Sequence, residues 1–223
     1  MAEFYLVRHG QASFGSDNYD QLSPMGYQQA SWLGEHLLQQ DIQFDRVVTG
    51  SMLRHEQTAQ NICNGLKLDT PFEIHEGLNE YDFYALVKNY LQMFPEQQPK
   101  KGEKHSAFYK VLKKAITMWA DNKLQGDLPE TFTQFKNRVG DALAFVQDTP
   151  AKRTLVVTSG GPIAMAMCHV LQLNNEKMIQ LNLQIKNTSY SQFFFNQQGP
   201  SLASFNNTAH LEKEDREGGL TYG

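Results

Sequence analysis

An arginine, a histidine and a glycine, Arg8-His9-Gly10, end the short apolar run Phe4-Tyr5-Leu6-Val7. An imidazole is a nucleophile that can carry a phosphoryl group, and a guanidinium fork binds phosphate oxygens through two parallel hydrogen bonds. The glycine removes a side chain where a substrate must approach the backbone closely. A β-rich run ending in this way is the layout of an open α/β sheet with its site at a strand's carboxyl end. A second guanidinium, Arg54, falls in the first turn of an expected helix, where backbone N–H groups and the helix dipole already favour anions. Two carboxylates, Glu80 and Asp82, lie on one turn further along.

These residues need elements to hold them. Ser23 reads as an N-cap and Pro24 as the first residue of a helix whose buried face is Ala30, Leu33 and Leu37. Residues 44–49 read as a second strand, and Ser51 can cap a helix burying Leu53, Ala59, Ile62 and Leu66. Residues 72–75 make a third strand. Two amphipathic helices follow, one burying Phe108, Val111, Leu112, Ala115, Ile116 and Trp119. The other buries Phe132, Phe135, Val139, Ala142, Leu143 and Val146. Residues 154–158 read as a buried parallel strand, with Gly160-Gly161-Pro162 opening the next helix. Two strands near 179–185 and 190–195 are expected to finish the sheet, and 202–205 to add an edge. The charged tail after Leu211 reads as mobile.

At this point the chain resembles the histidine phosphatase superfamily, which includes the cofactor-dependent phosphoglycerate mutases. The resemblance rests on Arg8-His9-Gly10, Leu22-Ser23-x-x-Gly26-x-x-Gln29-Ala30, Ser51-x-Leu53-Arg54, Gln57-Thr58-Ala59, Leu78-Asn79-Glu80 and Val156-Val157-Thr158-Ser159-Gly160-Gly161. It implies an α/β three-layer sandwich, a mostly parallel central sheet flanked by helices. It also implies one domain over 1–223, with a helical and loop insertion at about 84–130 shaping the substrate mouth. By the same resemblance His9 attacks phosphorus, Arg8 and Arg54 hold the phosphoryl oxygens with Ser159 and Gly160, and Glu80 protonates the leaving oxygen. Ser159 stands where the family usually has a second histidine. A serine hydroxyl is shorter and neutral, and losing one oxyanion-type donor costs on the order of 10²–10³ in rate. Position 159, beside a glycine turn, reads as having room for a larger side chain, so Ser159→His is expected to raise turnover.

No other histidine reads as a substitute. His55 adjoins Arg54 on a helix, about 100° away around the axis, so the two are not expected to face one pocket. His36, His75, His105 and His210 read as solvent-exposed, and His169 as a core or edge residue. Aromatic candidates for the mouth are Phe14, Tyr19, Tyr81, Phe83 and Tyr84.

Composition narrows the classes. The chain has 223 residues and a net charge of −4, and no long basic face, so a nucleic-acid partner is not expected. Lys100-Lys101-Gly102-Glu103-Lys104 reads as a solvated loop. No apolar stretch approaches the ~20 residues that span a bilayer, and no signal peptide precedes the first strand. Cys63 and Cys168 sit on apolar helical faces, as reduced thiols do in the cytoplasm, the expected location. No Cys/His cluster has metal-ligand spacing and no nucleotide-type glycine loop is present, so neither metal nor cofactor is expected. The expected partner is a small phosphorylated substrate. The leading function is phosphomonoester hydrolysis through a phosphohistidine on His9. The alternative is a weak or inactive phospholigand-binding protein, made so by Ser159. A mutase is disfavoured because Tyr81-Asp82-Phe83-Tyr84 follows Glu80 instead of an arginine-rich stretch.

Overall fold

The computed structural model describes residues 2–13, 20–100 and 105–222. Phe14, Tyr19 and residues 101–104 lie outside them, as does the side chain of His105. Six strands form one sheet: β1 (Ala2–Arg8), β2 (Arg46–Thr49), β3 (Phe72–Ile74), β4 (Arg153–Thr158), β5 (Tyr190–Asn196) and β6 (Gly199–Asn207). Their order is β3-β2-β4-β1-β5-β6, with the first four parallel and β5 and β6 antiparallel to their inner neighbours.

Side chains alternate across a strand, so Phe4, Leu6, Val48, Val156 and Phe193 share one face and Tyr5, Val7, Val47, Leu155 and Val157 the other. Helices α1 (Pro24–Gln39) and α2 (Leu53–Leu66) cover the second face. The first is covered by α3 (Phe83–Met93), α4 (His105–Ala120), α5 (Phe132–Gln147), α6 (Gly160–Leu171) and α7 (Asn175–Asn182). This is the expected three-layer α/β arrangement. A fully buried side chain such as Leu33 or Phe135 contributes about 1.5–3 kcal/mol to it.

Helix starts follow the sequence with one shift. Ser23 Oγ accepts from Gly26 N at 3.1 Å, with Pro24 in the first turn. In α2 the N-cap is Met52, and the Leu53 amide donates to the Asp20 carboxylate at 2.9 Å. The Ser51 hydroxyl instead accepts from Asn79 Nδ2 at 2.8 Å. Gly10 also has a different reason from the expected one. A Cβ there would lie 2.4 Å from Gly26 O, and a Cβ on Gly26 would lie 2.2 Å from Gln11 O. The chain leaving β1 crosses the start of α1 backbone against backbone, and both glycines permit it.

Two expectations fail. The segment 179–185 is not a strand, and its first four residues belong to α7: Asn174 caps that helix by accepting from Lys177 N at 3.0 Å, and Met178 and Ile179 turn into the core. The apolar alternation there hid a local cap that competes successfully with extension. The tail is also held in place. Gln29 Nε2 donates to Gly219 O at 2.7 Å and to Thr221 Oγ1 at 2.8 Å, and Asn187 N donates to Thr221 O at 3.0 Å. Arg216 is 5% exposed, donates to the His210 carbonyl and lies 5.0 Å over the Trp32 ring. Arg216→Ala is expected to destabilise the fold by about 1–3 kcal/mol in chemical denaturation, since it orphans a buried carbonyl and removes a cation–π contact. An unchanged midpoint would mean the tail adds nothing to the folded state.

Candidate active site

Parallel strands end on the same side, and register decides which residues meet there. Arg8 of β1 pairs with Thr158 of β4, and Thr49 of β2 pairs with Val157 of β4 and Ile74 of β3. The residues that follow each strand are therefore neighbours: His9 after β1, Gly50 to Arg54 after β2, Glu80 after β3, and Ser159 to Gly161 after β4. Segments some 150 residues apart in sequence are joined by one sheet edge.

His9 sits on the floor, 6% exposed, its amide donating to Thr158 O at 2.8 Å and its own carbonyl accepting from Asn187 Nδ2 at 3.1 Å. Nδ1 lies 2.7 Å from Gly10 O, an acceptor only, so this nitrogen carries the proton. Arg54 Nε donates to Nε2 at 3.3 Å, which leaves Nε2 as the unprotonated nitrogen. Burial holds the imidazole well below its ordinary range, and Arg54, Arg8 and His55 push it further down. His9 is thus held as a neutral imidazole, with burial the largest single cause and Arg54 the next.

Arg54 is positioned by the first turn of α2 and by Asp20, whose Oδ1 accepts from Nη1 at 2.6 Å. Thr58, one turn on, ties the pieces together: its hydroxyl accepts from Gly10 N at 3.0 Å and donates to Arg54 O at 2.6 Å. Arg8 Nη1 donates to Ile185 O at 2.5 Å and to Tyr222 O at 2.6 Å, so the tail contributes to the setting of this guanidinium.

Glu80 forms part of the wall. Oε2 accepts from Gly161 N at 3.2 Å, and a Cβ at position 161 would lie 2.1 Å from Oε1. Gly161 is what lets the carboxylate approach α6. Burial raises the Glu80 carboxyl above its usual range, against the Gly161 bond and the two arginines, which lower it. Asp82 points elsewhere: it is exposed and caps α3, accepting from Ala85 N at 2.9 Å. Around Arg8, His9, Arg54 and Glu80 opens a cleft whose outer walls include Phe83, Phe108, Tyr109, Leu112 and Leu183. Among the described residues its lining cations are Arg8 and Arg54. Tyr81 lines the cleft as expected, with its hydroxyl accepting from Asn182 Nδ2 at 2.7 Å, while Tyr84 is half-exposed outside it.

Ser159 and Gly160 lie behind this cleft and not on its lining. Gly160 opens α6, with Arg8 Nε 3.7 Å from where its Cβ would stand. Ser159 is fully buried, its Oγ 2.7 Å from Nε2 of His55, so the expected room for a larger side chain is absent. The helical-wheel argument holds for the cleft: Arg54 lines it and His55 does not, the His55 ring being fully buried against Ser159 with its centroid 5.7 Å from that of His9. His210 is likewise buried, 2.9 Å from Thr188 Oγ1, and burial pushes it down to about 3. His36 and His75 are partly covered rather than open to solvent, and His169 Nε2 lies 3.0 Å from Lys136 O.

Asp20, Thr58, Asn182 and the tail were not singled out as site residues. Thr58 stood inside a matched motif, so its signal was present. Asp20, Asn182 and Tyr222 come from connections whose path only the fold sets. Among the described residues no group of three His, Cys, Asp or Glu is placed to hold a metal, and no helix is long and apolar enough to cross a membrane.

Comparison with known proteins agrees with this geometry. The chain is 30% identical over 114 residues to the mitochondrial serine/threonine-protein phosphatase Pgam5 of Caenorhabditis briggsae, covering 50% of this chain and 40% of that one. The match therefore spans less than half of that relative's length. Among solved structures, Bacillus stearothermophilus YhfR superposes with a TM-score of 0.69 at 18% identity, covering 95% of this chain and 100% of that one. An Entamoeba histolytica phosphoserine phosphatase, solved with 3-phosphoglyceric acid, gives 0.61 at 21% identity, with 95% and 100% covered. At these identities the structures establish the fold alone. The model of the histidine phosphatase superfamily (branch 1) matches residues 4–208, from β1 through the site to the end of β6, and the chain belongs to that superfamily.

Proposed function

We propose that the protein is a phosphatase that hydrolyses a phosphomonoester through a phosphohistidine on His9. The observation that carries this reading is the state of His9: buried, neutral, with its unprotonated Nε2 beside Arg54 at 3.3 Å on the floor of a cleft walled by Glu80. Nε2 attacks phosphorus, the bond to the ester oxygen breaks, and the Glu80 carboxyl gives its proton to that oxygen. Arg8 and Arg54 bear the charge on the transferring oxygens, where phosphoryl-transfer catalysis mostly acts. Water then attacks the phosphohistidine, Glu80 takes its proton, and phosphate leaves with Nε2 restored.

The walls point to a class of substrate. Phe83, Phe108, Leu112 and Leu183 can cover an apolar or aromatic organic group, and among the described lining residues no further cation faces a second anionic group. A mutase, which must grip a carboxylate or second phosphate as well, is the weaker reading.

The experiment is to vary the leaving group in Glu80→Gln. An alkyl phosphate needs its departing oxygen protonated, and loss of a general acid costs about 10²–10⁴ in kcat. A nitrophenyl phosphate leaves as a stabilised anion and should lose less than about tenfold. The pH profile follows with its sign. Glu80 acts protonated and its carboxyl is raised, so wild-type turnover of the alkyl ester should fall as pH rises through that raised value. The variant should lack this limb. Equal losses on both esters would remove Glu80 from the acid's role.

A further inference from the structure

We propose that His55, acting through Ser159, restores the second imidazole of the phosphate pocket from a different element, the first turn of α2 in place of the end of β4. This rests on the phosphohistidine reading above, and on Ser159 holding the place where the family usually has its second histidine.

Three observations carry it. Ser159 is the N-cap of α6, yet its side chain makes no capping bond. A serine at an N-cap normally accepts from the amides of the first turn, which is worth about 1 kcal/mol. This hydroxyl lies instead 2.7 Å from His55 Nε2. Second, packing does not explain the imidazole. His55 is fully buried, and its Nδ1 has no hydrogen-bond partner. A Cβ on Gly50 would come within 2.3 Å of that nitrogen. A leucine would fill this volume without orphaning a buried polar atom. Third, the pair stands next to the nucleophile. The His55 and His9 rings are 5.7 Å apart, and Ser159 follows the residue whose carbonyl accepts from the His9 amide.

The tautomer follows from the surroundings. A buried N–H without an acceptor is rarer than a bare lone pair, so Nδ1 is the unprotonated nitrogen and Nε2–H donates to Ser159 Oγ. Ser159 does not line the open cleft, but it follows the residue that holds the His9 amide, and its proton, which His55 does not need, is the donor proposed for a phosphoryl group carried on His9. Burial, and then Arg54, keep His55 neutral, so the floor gains a donor without a third cation. His55 is a positioning residue, and Ser159 is the donor it aims.

The test uses kcat, KM and vanadate inhibition with p-nitrophenyl phosphate, on the full chain, with thermal midpoints recorded. Ser159→Ala and His55→Leu are each expected to lower kcat by about 10- to 100-fold and to weaken vanadate by a similar factor, KM moving less. The double variant should be little worse than either single one, because the two residues act as one unit. His55→Gln, whose amide can donate from near the place of Nε2, should recover most of kcat. Ser159→His alone should lower activity, because its ring meets His55. Combining it with His55→Ala vacates that volume and should raise kcat above either single variant. If His55→Leu and Ser159→Ala keep kcat and vanadate affinity within twofold while His9→Ala is inactive, the inference is wrong and the phosphatase reading stands. If His9→Ala turns over like wild type, the reading fails, and the inference with it. Should His55→Leu not fold, Ser159→Ala, which removes one oxygen, decides alone.

Discussion

His9→Ala should lose at least about 10³-fold in kcat on any phosphomonoester the wild type hydrolyses, because removing a covalent nucleophile leaves no alternative route of similar barrier. The fold should survive. His9 is only 6% exposed, so deleting its ring leaves a small gap costing about 1–2 kcal/mol. Its backbone bonds to Thr158 and Asn187 do not involve the ring and remain. Steady-state kinetics with circular dichroism checks both halves. Turnover within tenfold of wild type in a folded variant would mean that phosphorus is attacked by something else.

The second large effect is expected at Arg54. Arg54→Ala removes the guanidinium beside Nε2 and should reduce kcat by about 10³, the scale reported for arginines that neutralise a transferring phosphoryl group. Arg54→Lys should recover little of this, since an ammonium cannot reproduce the fork that bonds both Nε2 and Asp20. A pH signature accompanies the loss. Arg54 is, after burial, the largest influence holding His9 neutral. Without it the imidazole takes a proton at higher pH, and a protonated imidazole cannot attack. The acid limb of kcat/KM should therefore move upward in pH in the variant. A rate loss with an unmoved acid limb would separate Arg54 from the nucleophile.

Much of this site was legible in the chain before any fold was drawn. Arg8 ends a strand and His9, Arg54 and Glu80 each come after one, and once four strands are parallel their carboxyl ends converge on one edge. The periodicities of α1, α4 and α5 were equally readable, since each has a broad apolar stripe. What failed shares a cause. Residues 179–185 alternate as a strand would, but Asn174 nucleates a helix over 175–182 through one side-chain bond that hydrophobic pattern does not record. The tail is polar by composition, yet Arg216 and Thr221 find buried partners on α1 and beside β1, which are long-range contacts. A helical wheel rightly kept His55 off the cleft lining, but a pattern within one helix cannot record that its ring meets Ser159, a contact between residues 104 apart in sequence. Gly10 was read as a place of close approach, and the group the fold brings against it is the Gly26 backbone.

The central claim is a covalent phosphoryl group on one particular nitrogen, and trapping it is the most direct test. Wild-type protein is mixed with an isotopically labelled phosphomonoester, quenched in alkali within the first turnovers, and digested. Label is expected on the peptide holding His9, stable to base and lost in acid. Phosphorus NMR should assign it to Nε2, because Nδ1 is committed to Gly10 O at 2.7 Å. Label on another residue, or no bound label during rapid turnover, would contradict the account.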